Sequence, residues 1–491
     1  MTTADLTDTN DKRRWYALAL LAVAQFVVVL DASIVNVALP SIGADLNFSQ
    51  ANLAWVVNAY VLTFGGFLLL GGRMADLLGR RRVFIGGLIL FAVASLAGGL
   101  AQSEGQLIVA RAVQGLGAAI LSPAALSIVT TIFADGADRN RALGVWGAVA
   151  GSGGAAGVLL GGVLTDTLGW EWVLFVNTPI GIAAAALATR LIPESRSQDT
   201  ARSFDVAGAL TVTAGLSILV YALVDATDAG WGSTQTVGLL ALAAGLLAAF
   251  VAIELRAAHP LVPFRFFQSR TVTGSNVVAL LIGASLFSMF FFISLYMQQV
   301  LGYAPLRAGL AYLPLALTIM LSAGIASQVV TRVGFKPVLA VGLGFVAGGL
   351  LWFSQVSPDG SYLGDILFPS LLAAIGLGLS FVSVTIGAVA GVAERESGLA
   401  SGLINTAQQI GGALGLAILA TVANSRTDDL LSAGGGDRAS ALTQGFQSAF
   451  AVGAGFAVLG LVLSLVLIRG SDSRASTQQA AGDAQPAQAP A

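Results

Sequence analysis

The chain is a succession of apolar stretches of about 20 residues each, divided by short polar breaks. At ~1.5 Å per helical residue, a stretch of that length crosses the ~30 Å hydrocarbon core of a bilayer. Fourteen such spans can be placed, near 15–39, 52–71, 83–102, 106–130, 142–164, 172–191, 206–224, 235–255, 272–297, 308–330, 337–355, 363–388, 399–422 and 447–468. An all-α integral membrane protein with 14 transmembrane helices is therefore expected. Composition agrees: 56% of the 491 residues are hydrophobic and 10% are charged, where soluble domains carry about 25% charged residues. The 60 glycines follow no collagen-like period and suit membrane helices whose backbones approach closely.

Charge tests the count. With the N-terminus inside, 20 of the 24 Lys and Arg fall on the inner side, three fall outside (Arg307, Arg426 and Arg438), and Arg111 lies within a span. A miscount by one helix would scramble this alternation, so both termini are expected in the cytoplasm. The cluster Lys12-Arg13-Arg14 precedes an apolar run too long for the core of a cleaved signal peptide. The expected organisation is a cytoplasmic tail over 1–14, a six-helix bundle over 15–195, a linker with two extra helices over 196–270, a second six-helix bundle over 271–470, and a disordered cytoplasmic tail over 471–491. An internal echo supports two halves: GRMADLLGRRR (72–82) aligns with SQVVTRVGFKP (327–337), pairing Gly79 with Gly334 and Arg81 with Lys336.

Several function classes lose their footing. With no cysteine there is no disulfide or thiolate site. The single histidine, His259, sits beside Pro260 in a polar connection and points to no metal site. No phosphate loop or nucleophile constellation is present, so an enzyme, a cofactor and a nucleic-acid partner are all unexpected. The expected partners are the lipid bilayer, a small-molecule substrate and protons, and a monomer is expected.

One carboxylate lies well inside a span. Asp31, in VVVLDASIVNVALP (27–40), would cost roughly 2.5–3.5 kcal/mol unpaired at the centre of a membrane helix. Its candidate partner is Arg111 in LIVARAVQGLGAA (107–119), the only basic residue deep in a span. The first span runs outward and the fourth inward, which places the two roughly 10 Å and 8 Å below the same surface. Pairing would offset both desolvation penalties. A carboxylate poised between burial and an arginine can load and release a proton as the protein moves. Asp31 and Arg111 are thus the candidate proton-coupling pair.

The polar in-span residues Gln25, Asn36, Asn58, Tyr60, Gln114, Asn405, Gln408 and Gln409 are candidate substrate contacts, and Phe287, Phe290, Phe291 and Phe292 could line an aromatic cavity. In the connection 71–82, Asp76 opposes the C-terminal dipole of the second span unless it caps another helix or pairs with Arg80, Arg81 or Arg82. A positive-inside cluster would account for the arginines but not for Gly72 and Gly79. In the fifth span Gly147, Ala150, Gly154, Gly157 and Gly161 form a small-residue stripe on one face.

These motifs, in this order, make the chain resemble the major facilitator superfamily, in particular its fourteen-helix drug:proton antiporter branch. GRMADLLGRR looks like the loop motif G-x-L-A-D-R-x-G-R-R. LDASIVNVALP, WVVNAYVL, RAVQGLGAA, VNTPIG and SGLINTAQQIGGALG are similar to further signatures of the branch. The resemblance covers about residues 15–470. It implies a proton-driven exporter of hydrophobic drugs or antibiotics in a bacterial inner membrane, with no cofactor. The alternative on the same fold is an importer or facilitator of a polar nutrient. It also implies a conformational gate at Gly72, Asp76, Gly79, Arg80 and Arg81, and an antiporter glycine motif at Gly153, Gly157, Gly161 and Gly162. Two positions depart from the pattern: Leu77 replaces a basic residue, and Val158 replaces a proline that would bend the fifth helix.

Overall fold

The computed structural model describes residues 3–474, apart from 49–52, 54, 134–135, 196–204, 258–259, 261, 394–395 and 433–436. His259, most of the connection 193–205 and residues 475–491 of the expected tail lie outside the described residues. The described chain is helical throughout and contains no β-strand. The helices are α1 (Thr3–Asp45), α2 (Trp55–Leu78), α3 (Arg80–Gly99), α4 (Glu104–Ile132), α5 (Ala137–Leu168), α6 (Trp172–Phe175), α7 (Asn177–Leu191), α8 (Val206–Ala229) and α9 (Thr234–Glu254). After these come α10 (Arg270–Leu295), α11 (Pro305–Ala311), α12 (Leu313–Val333), α13 (Phe335–Phe353), α14 (Phe368–Val389), α15 (Ser397–Ser432) and α16 (Arg438–Leu467).

Twelve of the helical segments are long and apolar enough to cross a bilayer, and α5 makes a thirteenth if its two arms count as one span. The apolar part of α8, Ala207–Leu223, is shorter, reaching about 25 Å against a ~30 Å core. Among the described residues 12 to 13 spans meet both length and apolarity, of the fourteen expected.

In the first half α4 packs on α2 and α3, α5 on α1, and α7 on α3. In the second, α14 packs on α12 and α13, while α10 packs on α15 and α16. The seam between them is made by α5 against α12 and α14, and by α15 against α2 and α4. Glycines make these approaches possible: a Cβ on Gly71 would stand 2.2 Å from the Ala119 carbonyl, and one on Gly411 1.9 Å from that of Leu280. Lipid tails give apolar helices no reason to prefer one another, so close van der Waals contact through small residues carries the association. Outside the bundles, α8 lies on α2 and α15, and α9 lies on α8.

Both chain ends differ from expectation. Instead of starting at 15, α1 is helical from Thr3, and its first part is held where Arg14 Nη2 meets Asp138 Oδ2 at 2.5 Å and Arg13 donates to the Arg190 carbonyl. Residues 471–474, expected to be disordered, are helical. Ser473 Oγ accepts from the Lys336 backbone N–H at 3.1 Å, which gives this turn a docking site. The sequence echo is also a structural one. Gly79 and Gly334 take φ of +105° and +84°, which favours glycine, and each starts a helix. Arg81 Nη1 donates to the Ile192 carbonyl (3.2 Å) just past α7, and Lys336 Nζ donates to the Ile468 carbonyl (2.7 Å) just past α16.

Candidate functional site

Five helices of the first half converge on Asp31. Arg111 Nη1 donates to Asp31 Oδ2 at 2.6 Å, and the two side chains are 1% and 0% exposed. The other carboxylate oxygen accepts from Gln114 Nε2 (2.8 Å) and from Asn177 Nδ2 (2.7 Å). Ser95 Oγ accepts from both of those amides at 3.0 Å and donates to the Leu174 carbonyl at 2.8 Å. The guanidinium is held by other groups as well: Nε donates to the Val56 carbonyl (3.0 Å), Nη1 also to Gln114 Oε1 (2.6 Å), and its carbon stands 4.4 Å from the centre of the Tyr60 ring. Such a cluster answers the desolvation cost with charge-assisted hydrogen bonds and a cation–π contact.

The glycine face of α5 holds α1 in place at this level. A Cβ on Gly157 would fall 2.7 Å from the Leu30 carbonyl, one on Gly161 2.7 Å from that of Ile34, and one on Gly153 2.7 Å from Val29 Cγ1. Gly162 is roomier, with its nearest neighbour at 3.7 Å on Leu306 of α11. Although Val158 removes the proline, α5 bends by 42° between Ala137–Gly154 and Ala156–Leu168. The bend falls in the run GSGGAAG, where glycine and serine weaken the helix without a proline.

A second cluster joins the halves at the end of α2. Asp76, buried, accepts from the backbone N–H groups of Gly398 and Leu399, each at 3.0 Å, so it caps the N-terminus of α15 across the seam. Arg80 Nη2 reaches the same carboxylate at 3.3 Å, and Arg80 N donates to the Ser195 carbonyl at 2.9 Å. This arginine stands one turn on from Asp76, where it supplies the cation that Leu77 does not. Ser127 and Ser397 share a hydrogen bond of 2.7 Å beside it. Gly72 and Gly398 let the helices touch: a Cβ on Gly72 would be 2.4 Å from the Gly398 carbonyl. Arg81 lies at 3.6 Å from Glu194 rather than at the seam.

The remaining candidates scatter. Gln25 is buried and accepts from Ser122 Oγ at 2.9 Å. Asn36 is exposed and donates to its own helix at Ala32, and Asn405 donates to the Ser401 carbonyl. Tyr60 and Gln114 belong to the Asp31 cluster. Asn58, Gln408 and Gln409 are half-buried without a side-chain hydrogen bond among the described residues. Phe292 packs in the core on Phe446 and Phe450, Phe290 stacks on Tyr312, Phe291 is exposed, and the Phe287 side chain lies outside the described residues. Sequence reasoning assigned no role to Asn177 or Ser95. Depth was the usable signal, since both sit within roughly 10 Å of the same end of their spans as Asp31 does of its own.

A multi-helix membrane bundle in two halves, with a buried acid–arginine cluster in one and a charged clasp between them, defines an integral membrane protein of the transporter kind. The chain belongs to the Major Facilitator Superfamily, whose model it matches over residues 21–416. It is 47% identical to a cephamycin export protein of Amycolatopsis lactamdurans, over 84% of this chain and 85% of that one. With a puromycin resistance protein of Streptomyces alboniger it shares 40% identity over 96% and 94% of the two chains, and with a multidrug transporter of Bacillus subtilis 32% over 86% and 78%. The fold superposes on a proton:xylose symporter with a TM-score of 0.65 at 14% identity, covering 94% of this chain and 97% of that one. It also superposes on the human organic anion transporter TETRAN with a TM-score of 0.64 at 14% identity, covering 92% and 99%.

Proposed function

We propose that the protein is a proton-coupled antiporter that exports hydrophobic small molecules, antibiotics among them, by alternating access. The observation that carries the coupling is Asp31: one buried carboxylate, bound by Arg111, Gln114 and Asn177 where five helices meet. The export and resistance relatives support the substrate class. The chain acts as a monomer in a bacterial cell membrane, needs no cofactor and has both termini in the cytoplasm. The shorter α8, packed on α9, completes fourteen spans. Asp76 and its clasp on α15 close the basic, cytoplasmic face while the outer face admits the proton.

Energetically the device suffices. One proton descending ~150 mV delivers about 3.5 kcal/mol, which sustains roughly a 300-fold substrate gradient. Asn58, Gln408 and Gln409 are the substrate contacts. The antiparallel pairing of α2 with α15, Gly72 at Gly398 and Leu68 at Gly402, extrapolates at ~1.5 Å per residue to bring Asn58 within about one turn of Gln409.

Proteoliposomes with an imposed pH gradient test the reading, with puromycin and ethidium as probes. Adding either probe dissipates the gradient through the wild type, whereas Asp31→Asn still binds it and moves no proton. Wild-type proton flux through Asp31→Asn would refute the assignment.

A further inference from the structure

We propose that Asn177 is the positioning residue that holds Asp31 in both protonation states: its amide donates to the carboxylate and turns over to accept from the acid. The inference rests on the proton-carrier reading of Asp31 and adds to it the group that makes room for the proton.

The hydrogen-bond inventory around Asp31 matches only the anion. Oδ2 accepts from Arg111, and Oδ1 accepts from Gln114 and Asn177. Every one of these neighbours presents a donor, while a protonated carboxyl needs an acceptor for its O–H. Arg111 has no acceptor to offer. Gln114 cannot turn without loss: its Oε1 accepts from Arg111 at 2.6 Å, and its Nε2 holds Ser95 as well as Asp31. Asn177 differs. It is fully buried, its Oδ1 has no hydrogen-bond partner, and Asp31 Oδ1 lies 2.7 Å from its Nδ2. An unsatisfied buried acceptor is rare and calls for an explanation. Turning the amide about its last torsion aims Oδ1 at Asp31; it gives up the two Nδ2 bonds, to Asp31 and Ser95, but, unlike Gln114, none at the oxygen. Ser95 can follow by redirecting its O–H from Leu174 to the same Oδ1.

The proton thus arrives on Asp31 Oδ1 and is shared with Asn177 Oδ1, and it leaves by the reverse turn. The charged or titratable groups facing Asp31 are Arg111 on α4 and Tyr60 on α2. The other helices around it, α3, α5, α6 and α7, bring none among the described residues. Asn177 is also the first residue of α7, directly after the short α6, so its backbone sits at a break in the sixth span.

Infrared titration of the full-length protein in lipid tests this without a substrate. The carboxylic C=O band that disappears in Asp31→Asn marks the protonated acid. In Asn177→Leu, which removes a donor to the anion, the midpoint of that band moves up by about one pH unit or more. In wild type carrying isotopically labelled asparagine side chains, a label-sensitive amide band changes with the same midpoint, and it is missing in Asn177→Leu. That second measurement needs no variant to fold for the wild-type change to be seen. An unchanged midpoint, or an amide band blind to the titration, overturns the role of Asn177. A wild type with no band removed by Asp31→Asn overturns the proton-carrier reading beneath it.

Discussion

The two halves share a helix plan and differ in what they bury. Among the described residues, the first half holds Asp31, Arg73, Asp76, Arg80 and Arg111 away from solvent, whereas every buried polar residue from Thr271 onward is a serine or a threonine. Half of those hydroxyls bond to carbonyls one turn back, as Ser285 does to Leu281 and Thr385 to Phe381. They tune packing at low cost and hold no charge. The same asymmetry runs through the repeated connections. Asp76 caps a helix of the other half, but at the matching offset before Gly334 stands Thr331, which bonds locally to the Gln328 carbonyl. There the seam leaves a cleft of about 510 Å³ between α5 and α12, lined by Arg141, Arg332 and Thr331 among others. One half is a charged machine part and the other a smooth wall against which it works.

The strongest way to break this comparison is Arg111→Ala. It strands Asp31 unpaired in the first half, and removing one partner of a buried pair costs about 3–5 kcal/mol. Folded yield and thermal midpoint in detergent should fall sharply, and pairing the change with Asp31→Asn should restore folding but not proton-coupled transport. Full stability of the single variant would mean that the cluster is not a tight ion pair.

Asp76→Asn is next. Hydrogen bonds to charged groups contribute about 1.5–3 kcal/mol, so the clasp on Gly398 and Leu399 should loosen. Spin-label distances between α2 and α15 at the basic face should lengthen while probe affinity stays near wild type. Unchanged distances would remove Asp76 from the gate.

Thr331→Asp sharpens the contrast from the other side by giving the second connection its missing carboxylate. With Arg141 and Arg332 lining that cleft, a part-exposed ion pair should add about 0.5–1 kcal/mol to the closed basic face. Distances between α5 and α12 should shift towards the short population and turnover should slow. Smallest of all is Ser285→Ala, which deletes an interhelical bond of 3.2 Å to the Gly453 carbonyl. Buried hydroxyl bonds in membrane helices average ≈ 0.6 kcal/mol, and a thermal midpoint lowered by more than a few degrees would show that the second half depends on its polar groups after all.

Much of the site could be read without coordinates because depth in a membrane is a local quantity. Hydropathy marks where each span enters and leaves, charge sorting orients it, and a fixed rise per residue assigns a level to each polar side chain. That arithmetic alone sets Asp31 opposite Arg111. What it omits is azimuth, the direction a side chain takes around its helix, and which of several helices stands there. Gln114 therefore reads as a substrate contact until packing turns it onto Asp31, and Asn177 and Ser95 go unassigned although they share the same level. Gln25 likewise meets Ser122 of α4, not a ligand. The N-terminus of α15 that Asp76 caps lies more than 300 residues away along the chain, and nothing near position 76 names it. The bend in α5 arises without the proline that would announce it. Composition and order determined the membrane, most of the spans and the level of the Asp31–Arg111 charges, because those depend on each residue's exchange between water and lipid. Only the tertiary structure decided who meets whom at that level, because helix rotation and pairing are settled by close contact between distant small residues.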